Sequence, residues 1–298
     1  MSDNAVLSNI TGKTFSGSKE SAFVQVMRRL RKNKAAMLGL FIFLAEVVIA
    51  LLSRWIIPYG YEVMDLKNML ASPSLKHWFG TDELGRDIFS RILYGAQYSL
   101  SIGVSAVLVA IFAGMIIGSI AGYFGGWIDN IIMRFLDIIQ AIPGLLLTIA
   151  ISAVLGAGFD KTILALGMGN IPGYARLLRA SIMNIRKMEY LEAAEVTNCG
   201  KLRIIVRHIL PNSIAPLIVQ ATMGVAGAIL TAASLSYIGL GVRPPAPEWG
   251  AMLSAGRSYI RDYPHLVIFP GVSIMITVLA LNILGDGLRD ALDPKLRS

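Results

Sequence analysis

Residues 98–126 read YSLSIGVSAVLVAIFAGMIIGSIAGYFGG. No charged side chain occurs between Tyr98 and Tyr123, and the run exceeds the roughly 20 apolar residues a helix needs to cross a bilayer. In hydrocarbon such a stretch must close its backbone hydrogen bonds internally, which makes it a helix. Within it Gly114, Gly118 and Gly122 recur every four residues, and Gly125-Gly126 end it. Glycines at that spacing leave a bare stripe against which a neighbouring helix packs closely. Packing within the chain is the expected use, and a contact between subunits is the alternative.

Working outward, comparable apolar runs occupy residues 35–57, 131–155, 162–178, 214–240 and 266–284. The fourth span, 162–178, is interrupted by Gly167, Gly169, Pro172 and Gly173. The expected fold is all-α and integral to the membrane, with six transmembrane helices. Composition agrees: 55% of the 298 residues are hydrophobic and 15% charged, against about 25% charged in soluble domains. The net charge of +8 therefore reads as membrane topology, not as a nucleic-acid footprint. The single cysteine, Cys199, excludes an internal disulfide or a four-cysteine zinc site. His77, His208 and His265 are far apart in sequence, so no metal site is expected.

With both termini cytosolic, the inner segments carry 18 Lys and Arg and the outer segments nine, the bias expected of cytosolic loops. Residues 1–34 then form a cytosolic tail whose polar start does not resemble a cleavable signal. Residues 35–97 hold the first span and an extracellular loop, residues 98–288 a five-span core, and 289–298 a cytosolic tail. Two long connections remain, 58–97 outside and 179–212 inside, and connections of that length are usually functional.

No catalytic constellation appears. Gly12-Lys13-Thr14 resembles the tail of a phosphate-binding loop, but Leu7 stands where its first glycine belongs. Ionisable residues at membrane depth are few. Glu46 lies in the middle of the first span, and Arg134 and Asp137 are placed to pair at i, i+3. Charges there normally face the bundle or a wet cavity. Glu46, Asn170, Gln220 and Asn282 are the candidate translocation residues. No internal repeat of the kind seen in secondary carriers is apparent, and six spans make a narrow bundle for a large solute, so a second pore subunit is expected.

The inner loop carries acids at Glu189, Glu192 and Glu195, then Asn198, a residue suited to a left-handed helix cap. A second helix follows with Leu202, Ile205 and Ile209 on one stripe, flanked by Arg203 and Arg207. Pro211 is expected to stop it. This is a charged helix–turn–helix, and docking of a cytosolic partner is its expected role over simple capping of the bundle.

Glu192-Ala193-Ala194, the turn at Asn198, and Leu210-Pro211 resemble the Glu-Ala-Ala loop of bacterial ABC importer permeases, with Asn198 where the family has glycine. The resemblance implies the type I importer permease (MetI-like) fold, with Glu192, Ala193, Ala194, Asn198, Arg203 and Arg207 contacting an ATPase subunit. Four further segments resemble the C-type subunit of the dipeptide/oligopeptide/nickel branch. They begin at Gly80-Thr81-Asp82, Ala121-Gly122-Tyr123, Pro244-Pro245-Ala246 and Gly285-Asp286-Gly287. Ala232-Ala233 departs from the Glu-Ala common in that branch.

The resemblance implies a permease for dipeptides or oligopeptides in the bacterial cytoplasmic membrane. Its partners would be a second permease subunit, two cytosolic ATPases that bind the ATP and Mg, a solute-binding protein, and membrane lipid. No cofactor on this chain and no nucleic acid are implied. A nickel chelate or glutathione is the alternative solute, and a lone carrier or channel the alternative class. On physics alone, Asp82 is expected to cap a short outer helix, with Asp82–Arg86 and Asp87–Arg91 as i, i+4 pairs. Asp82, Arg86, Asp87 and an exposed Trp249 at the tip of an outer loop are the expected docking surface for a binding protein.

Overall fold

The computed structural model describes residues 22–189 and 199–292. Among these the chain is helical, without a strand beyond one isolated bridge, Thr81 to Asp87. A short helix, α1 (Ala22–Lys32), ends at Asn33, whose Oδ1 accepts from the N–H of Ala36 and starts α2 (Lys34–Ile56). The longest helix, α3 (Ile88–Phe124), begins at Asp87, which caps it through the Ser90 N–H at 2.8 Å. Then come α4 (Gly126–Gln140), α5 (Gly144–Leu155) and α6 (Phe159–Ile185). After the short helix Lys201–Ile204 and a π-helical turn at Ile205–Ile209, the chain runs directly into α7 (Leu210–Tyr237). The series closes with α8 (Trp249–Gly256) and α9 (His265–Leu292).

Four of these helices are long and apolar enough to cross a membrane, or five if α4 and α5 count as one broken span. The straight third span expected over residues 131–155 is not formed. Instead α4 and α5 meet at 85°. Pro143 lacks an N–H and disfavours helix in the residue before it. The halves are about 22 and 18 Å long, too short to cross separately. The interruption expected over residues 162–178 does not occur, since α6 runs through Pro172 unbroken for about 40 Å, but α6 is not among the helices apolar enough to cross.

The centre of the bundle is the α3–α6 pair, and the glycine stripe explains it. A Cβ on Gly114 would lie 2.7 Å from the Tyr174 Cβ, one on Gly118 2.5 Å from the Ala175 carbonyl oxygen, and one on Gly122 3.0 Å from the Ile182 Cβ. At Gly114 and Gly118 only glycine permits this approach, at Gly122 a Cβ would be tight, and the packing is within the chain. Leu166, Leu178 and Ile182 of α6 are fully buried as a result. Packing of α2 against α9 uses the same device, because a Cβ on Gly39 would lie 2.6 Å from the Ala280 carbonyl oxygen.

Candidate functional site

At one end of the bundle, residues 57–87 fold into a cap built on the segment that begins at Gly80. The backbone reverses through Asp82-Glu83-Leu84-Gly85, with Gly85 at φ +73° so close to the Asp65 backbone that any Cβ would clash. Asp82 does not cap a helix. Its Oδ1 accepts from the N–H groups of Leu84 and Arg86 at 2.9 Å, and its Oδ2 takes the Arg86 Nε at 2.6 Å. The expected Asp82–Arg86 pair is therefore formed inside the turn. The Asp87–Arg91 side-chain pair is not formed. Asp87 caps α3 and binds the Nδ1 of His77 at 2.9 Å, while Arg91 donates to the Tyr61 carbonyl at 2.9 Å and faces Asp82 at 3.6 Å. At the rim, the Asn68 amide bound to Asp65 holds that exposed carboxyl below the usual carboxylate range.

Asp82, Arg86, Asp87 and Trp249 are all buried. They hold the cap together and offer no docking surface of their own. Trp249 in particular is not an exposed tip. Its indole N–H donates to the Ile92 carbonyl at 3.0 Å and its backbone N–H to the Ser99 hydroxyl at 3.1 Å. Gly95 makes room for this loop, since a Cβ there would lie 2.0 Å from the Pro247 oxygen. Glu248, which sequence reasoning passed over, is the anchor beneath it. The carboxylate accepts from the Gly250 and Ala251 N–H groups and the Ser236 hydroxyl, each at 2.8 Å, and so joins α8 to α7. An acid directly before an apolar helix was the legible signal.

Along the middle of the bundle, α7 carries a stripe of small and polar residues on one face: Gln220, Gly227, Thr231 and Ser234, at helical spacings of seven, four and three. Gln220, Gly227 and Ser234 are exposed and Thr231 partly so. Thr231 and Ser234 donate back to the Gly227 and Leu230 carbonyls of their own helix, which satisfies the hydroxyl proton and leaves the oxygen as an acceptor. Tyr174 joins α6 to this face by donating to the Gln220 carbonyl at 3.2 Å, one turn from the exposed Asn170. A groove of about 490 Å³ runs beside Gln220, lined also by Leu177, Asn212, Pro216 and Met223. Of the four candidate translocation residues, Gln220 lines this groove, and the exposed Asn170 donates its amide to the Leu166 carbonyl of its own helix. Glu46 sits in the α2–α9 seam, where it accepts from the Thr277 hydroxyl at 2.9 Å, and Asn282 is half-buried on α9.

At the opposite end, Glu192, Ala193, Ala194 and Asn198 lie outside the described residues. Arg203 and Arg207 are exposed on the segment that leads straight into α7, while Ile204 and Ile209 of the same segment are buried. Pro211 does not stop this helix: the π-helical turn at Ile205–Ile209 directly precedes it, and the helix continues through it as α7. Asp129, in the first turn of α4, pairs with both Nε and an Nη of Arg179 on α6. The expected Arg134–Asp137 pair is not formed, since Asp137 binds Arg176 instead. Beside these, Arg186 stacks over Tyr123 at 5.8 Å and Lys201 over Phe124 at 5.7 Å.

Residues 114–298, most of the chain and all of α4 to α9, match the family described as the binding-protein-dependent transport system inner membrane component. The chain belongs to this permease family. Residues 21–73 of the permease also match the N-terminal transmembrane domain of oligopeptide transport permease C. It is 47% identical over 278 residues to the dipeptide transport system permease protein DppC of Alkalihalophilus pseudofirmus, covering 93% of this chain and 91% of that one. The glutathione transport system permease protein GsiD of Escherichia coli is 46% identical over 271 residues, covering 91% and 89%. Among solved structures, the inward-facing MetNI methionine ABC transporter matches with a TM-score of 0.54 at 18% identity, over 69% of this chain and 98% of that one. An amino acid ABC transporter matches with a TM-score of 0.51 at 16% identity, over 66% and 92%. Those two likenesses establish the fold. The permease is a multi-pass membrane protein of a bacterial ABC importer.

Proposed function

We propose that this chain is one of two pore subunits of an ATP-driven importer that passes dipeptides or oligopeptides by alternating access. The observation that carries the reading is the α7 stripe, running without interruption into the segment that bears Arg203 and Arg207. One helix thereby joins a polar path at membrane depth to an exposed basic segment at the bundle end. The near-complete similarity to a dipeptide permease supports a peptide solute. Hydroxyl and amide oxygens along the stripe suit the N–H groups of a short peptide and make no demand on its side chains.

In this reading α2, α3, the broken pair α4–α5, α6, α7 and α9 make six spans with both termini cytosolic, and the cap lies outside. The Glu-Ala-Ala loop at 192–211 receives one of two partner ATPases, which bind the ATP and Mg. ATP binding moves that loop, α7 transmits the movement as a rigid rod, and the stripe is exposed alternately to the two sides. A second permease subunit completes the pore, and a solute-binding protein docks on the cap through surface other than its buried ion pairs. The π-helical turn at Ile205–Ile209, a feature frequent at functional sites, is the joint between loop and rod.

The test is uptake of a radiolabelled dipeptide into proteoliposomes holding the whole complex, with Gln220→Leu and Ser234→Leu in this chain. ATP-dependent uptake that falls at least about tenfold in the double variant is expected, the cost of removing one or two hydrogen bonds from the path. Unchanged uptake contradicts the path. The resemblance to glutathione permeases favours one second reading, glutathione as the solute. Glutathione that competes out dipeptide uptake selects it.

A further inference from the structure

One face of the helix α1 holds it to the bundle. Leu30 is buried against Ala36 and Ala291, and Val26 and Leu288 pack on the same cluster, which fixes α1 to the end of α9. Its flank away from that cluster forms a shallow groove of about 460 Å³. Val24 and Met27 make the floor, and Arg28, Arg31 and Lys32 the rim. Lys34 adds a further exposed cation at the start of α2. Beyond it, the first large hydrophobic residues exposed along α2 are Leu38 and Phe41, at 56% and 69%.

We infer that this groove is a site for an anionic phospholipid headgroup, with the phosphate on Arg31, Lys32 and Lys34 and the upper acyl chain over Val24 and Met27. Two observations favour a lipid over a free anion or an acidic protein. The cations border an apolar floor, and the helix that follows directly is long and apolar enough to cross a membrane. Clustered basic residues beside a membrane helix attract anionic headgroups, and amphipathic basic helices lie in the headgroup layer. A bound headgroup would hold α1 down and, through Leu30 and Ala291, fix the end of α9. The inference rests on the topology proposed above, which puts α1 at the cytosolic leaflet.

The purified full-length chain is titrated with phosphatidylglycerol in detergent, and retained lipid is counted by native mass spectrometry. Arg31→Gln, Lys32→Gln and Lys34→Gln together are expected to weaken retention at least about tenfold. Lys67→Gln, Arg243→Gln and Arg261→Gln, at the other end, are expected to leave it unchanged. Equal loss in both triple variants, no loss in the first, or equal retention of phosphatidylcholine overturns the site. In parallel, Val24→Cys in a Cys199→Ser background is labelled with a membrane-impermeant maleimide in right-side-out and inverted vesicles. Labelling only in inverted vesicles is expected. Labelling from outside overturns the topology and the leaflet, whereas cytosolic labelling with unchanged lipid retention overturns the lipid site alone.

Discussion

Gly118 on α3 stands so close to Ala175 on α6 that a Cβ added to it would lie 2.5 Å from the Ala175 carbonyl oxygen. The obstacle is backbone, which cannot swing aside as a side chain would. Gly118→Ala is therefore expected to destabilise the chain by about 1–3 kcal/mol, the usual range for overpacking. Gly173→Ala on α6 meets nothing within 4 Å and is expected to be neutral or slightly stabilising, since alanine favours helix. Thermal unfolding in detergent compares them; equal behaviour contradicts the packing.

Glu248 holds the second prediction. Three donors at 2.8 Å converge on its buried carboxylate. Glu248→Ala leaves those donors unpaired, at about 1–3 kcal/mol each, whereas Glu248→Gln keeps one acceptor oxygen. Cysteine accessibility on α8 is expected to rise strongly in the alanine variant and modestly in the glutamine variant. Similar accessibility in both shows that α8 does not depend on this anchor.

The cap gives a third. Asp82→Ala removes the acceptor for two backbone N–H groups and leaves the buried Arg86, among the described residues, with the 3.3 Å contact to Glu83. Breaking a buried pair from one side costs about 3–5 kcal/mol. The expected result is faster proteolysis between residues 60 and 87 in right-side-out vesicles, with insertion unchanged. A protease-resistant cap in that variant contradicts the role given to Asp82.

A fourth concerns coupling. Arg203→Glu with Arg207→Glu reverses two exposed charges that hold nothing in the described structure together. Membrane insertion is expected to be normal and solute-stimulated ATP hydrolysis by the assembled complex to fall by roughly tenfold or more, the loss of two charged contacts. Normal stimulation removes these arginines from the ATPase contact.

What could be read in the sequence was local. The Gly114-Gly118-Gly122 stripe declares its use through its own spacing, and its partner is the helix the fold supplies. Pro143 and Pro172 look alike in sequence, each inside an apolar run. They part company because α6 is packed along its length on α3 and continues past Pro172, while among the described residues the α4–α5 corner has no comparable packing partner. Local pairing rules likewise favoured Asp87 with Arg91 and Arg134 with Asp137. The partners chosen instead, His77 for Asp87 and Arg176 for Asp137, are set by tertiary contacts the rules do not contain. Trp249 reads as an exposed aromatic because the slot that buries it, at Ile92 and Gly95, is more than 150 residues away. The α7 stripe is half visible in the sequence: Gln220 stands out as a polar residue in an apolar run, but Thr231 and Ser234 pass for ordinary helix residues until burial shows which face is open.

The central claim is that this chain moves solute only as part of an ATP-driven assembly. The most direct measurement is uptake of a labelled dipeptide into proteoliposomes containing either this chain alone or the complete complex with binding protein. Uptake by the complex that requires ATP, is nearly abolished by Glu192→Lys and is absent for the chain alone is the predicted result. Uptake by the chain alone without ATP, or undiminished uptake by the complex carrying Glu192→Lys, contradicts it.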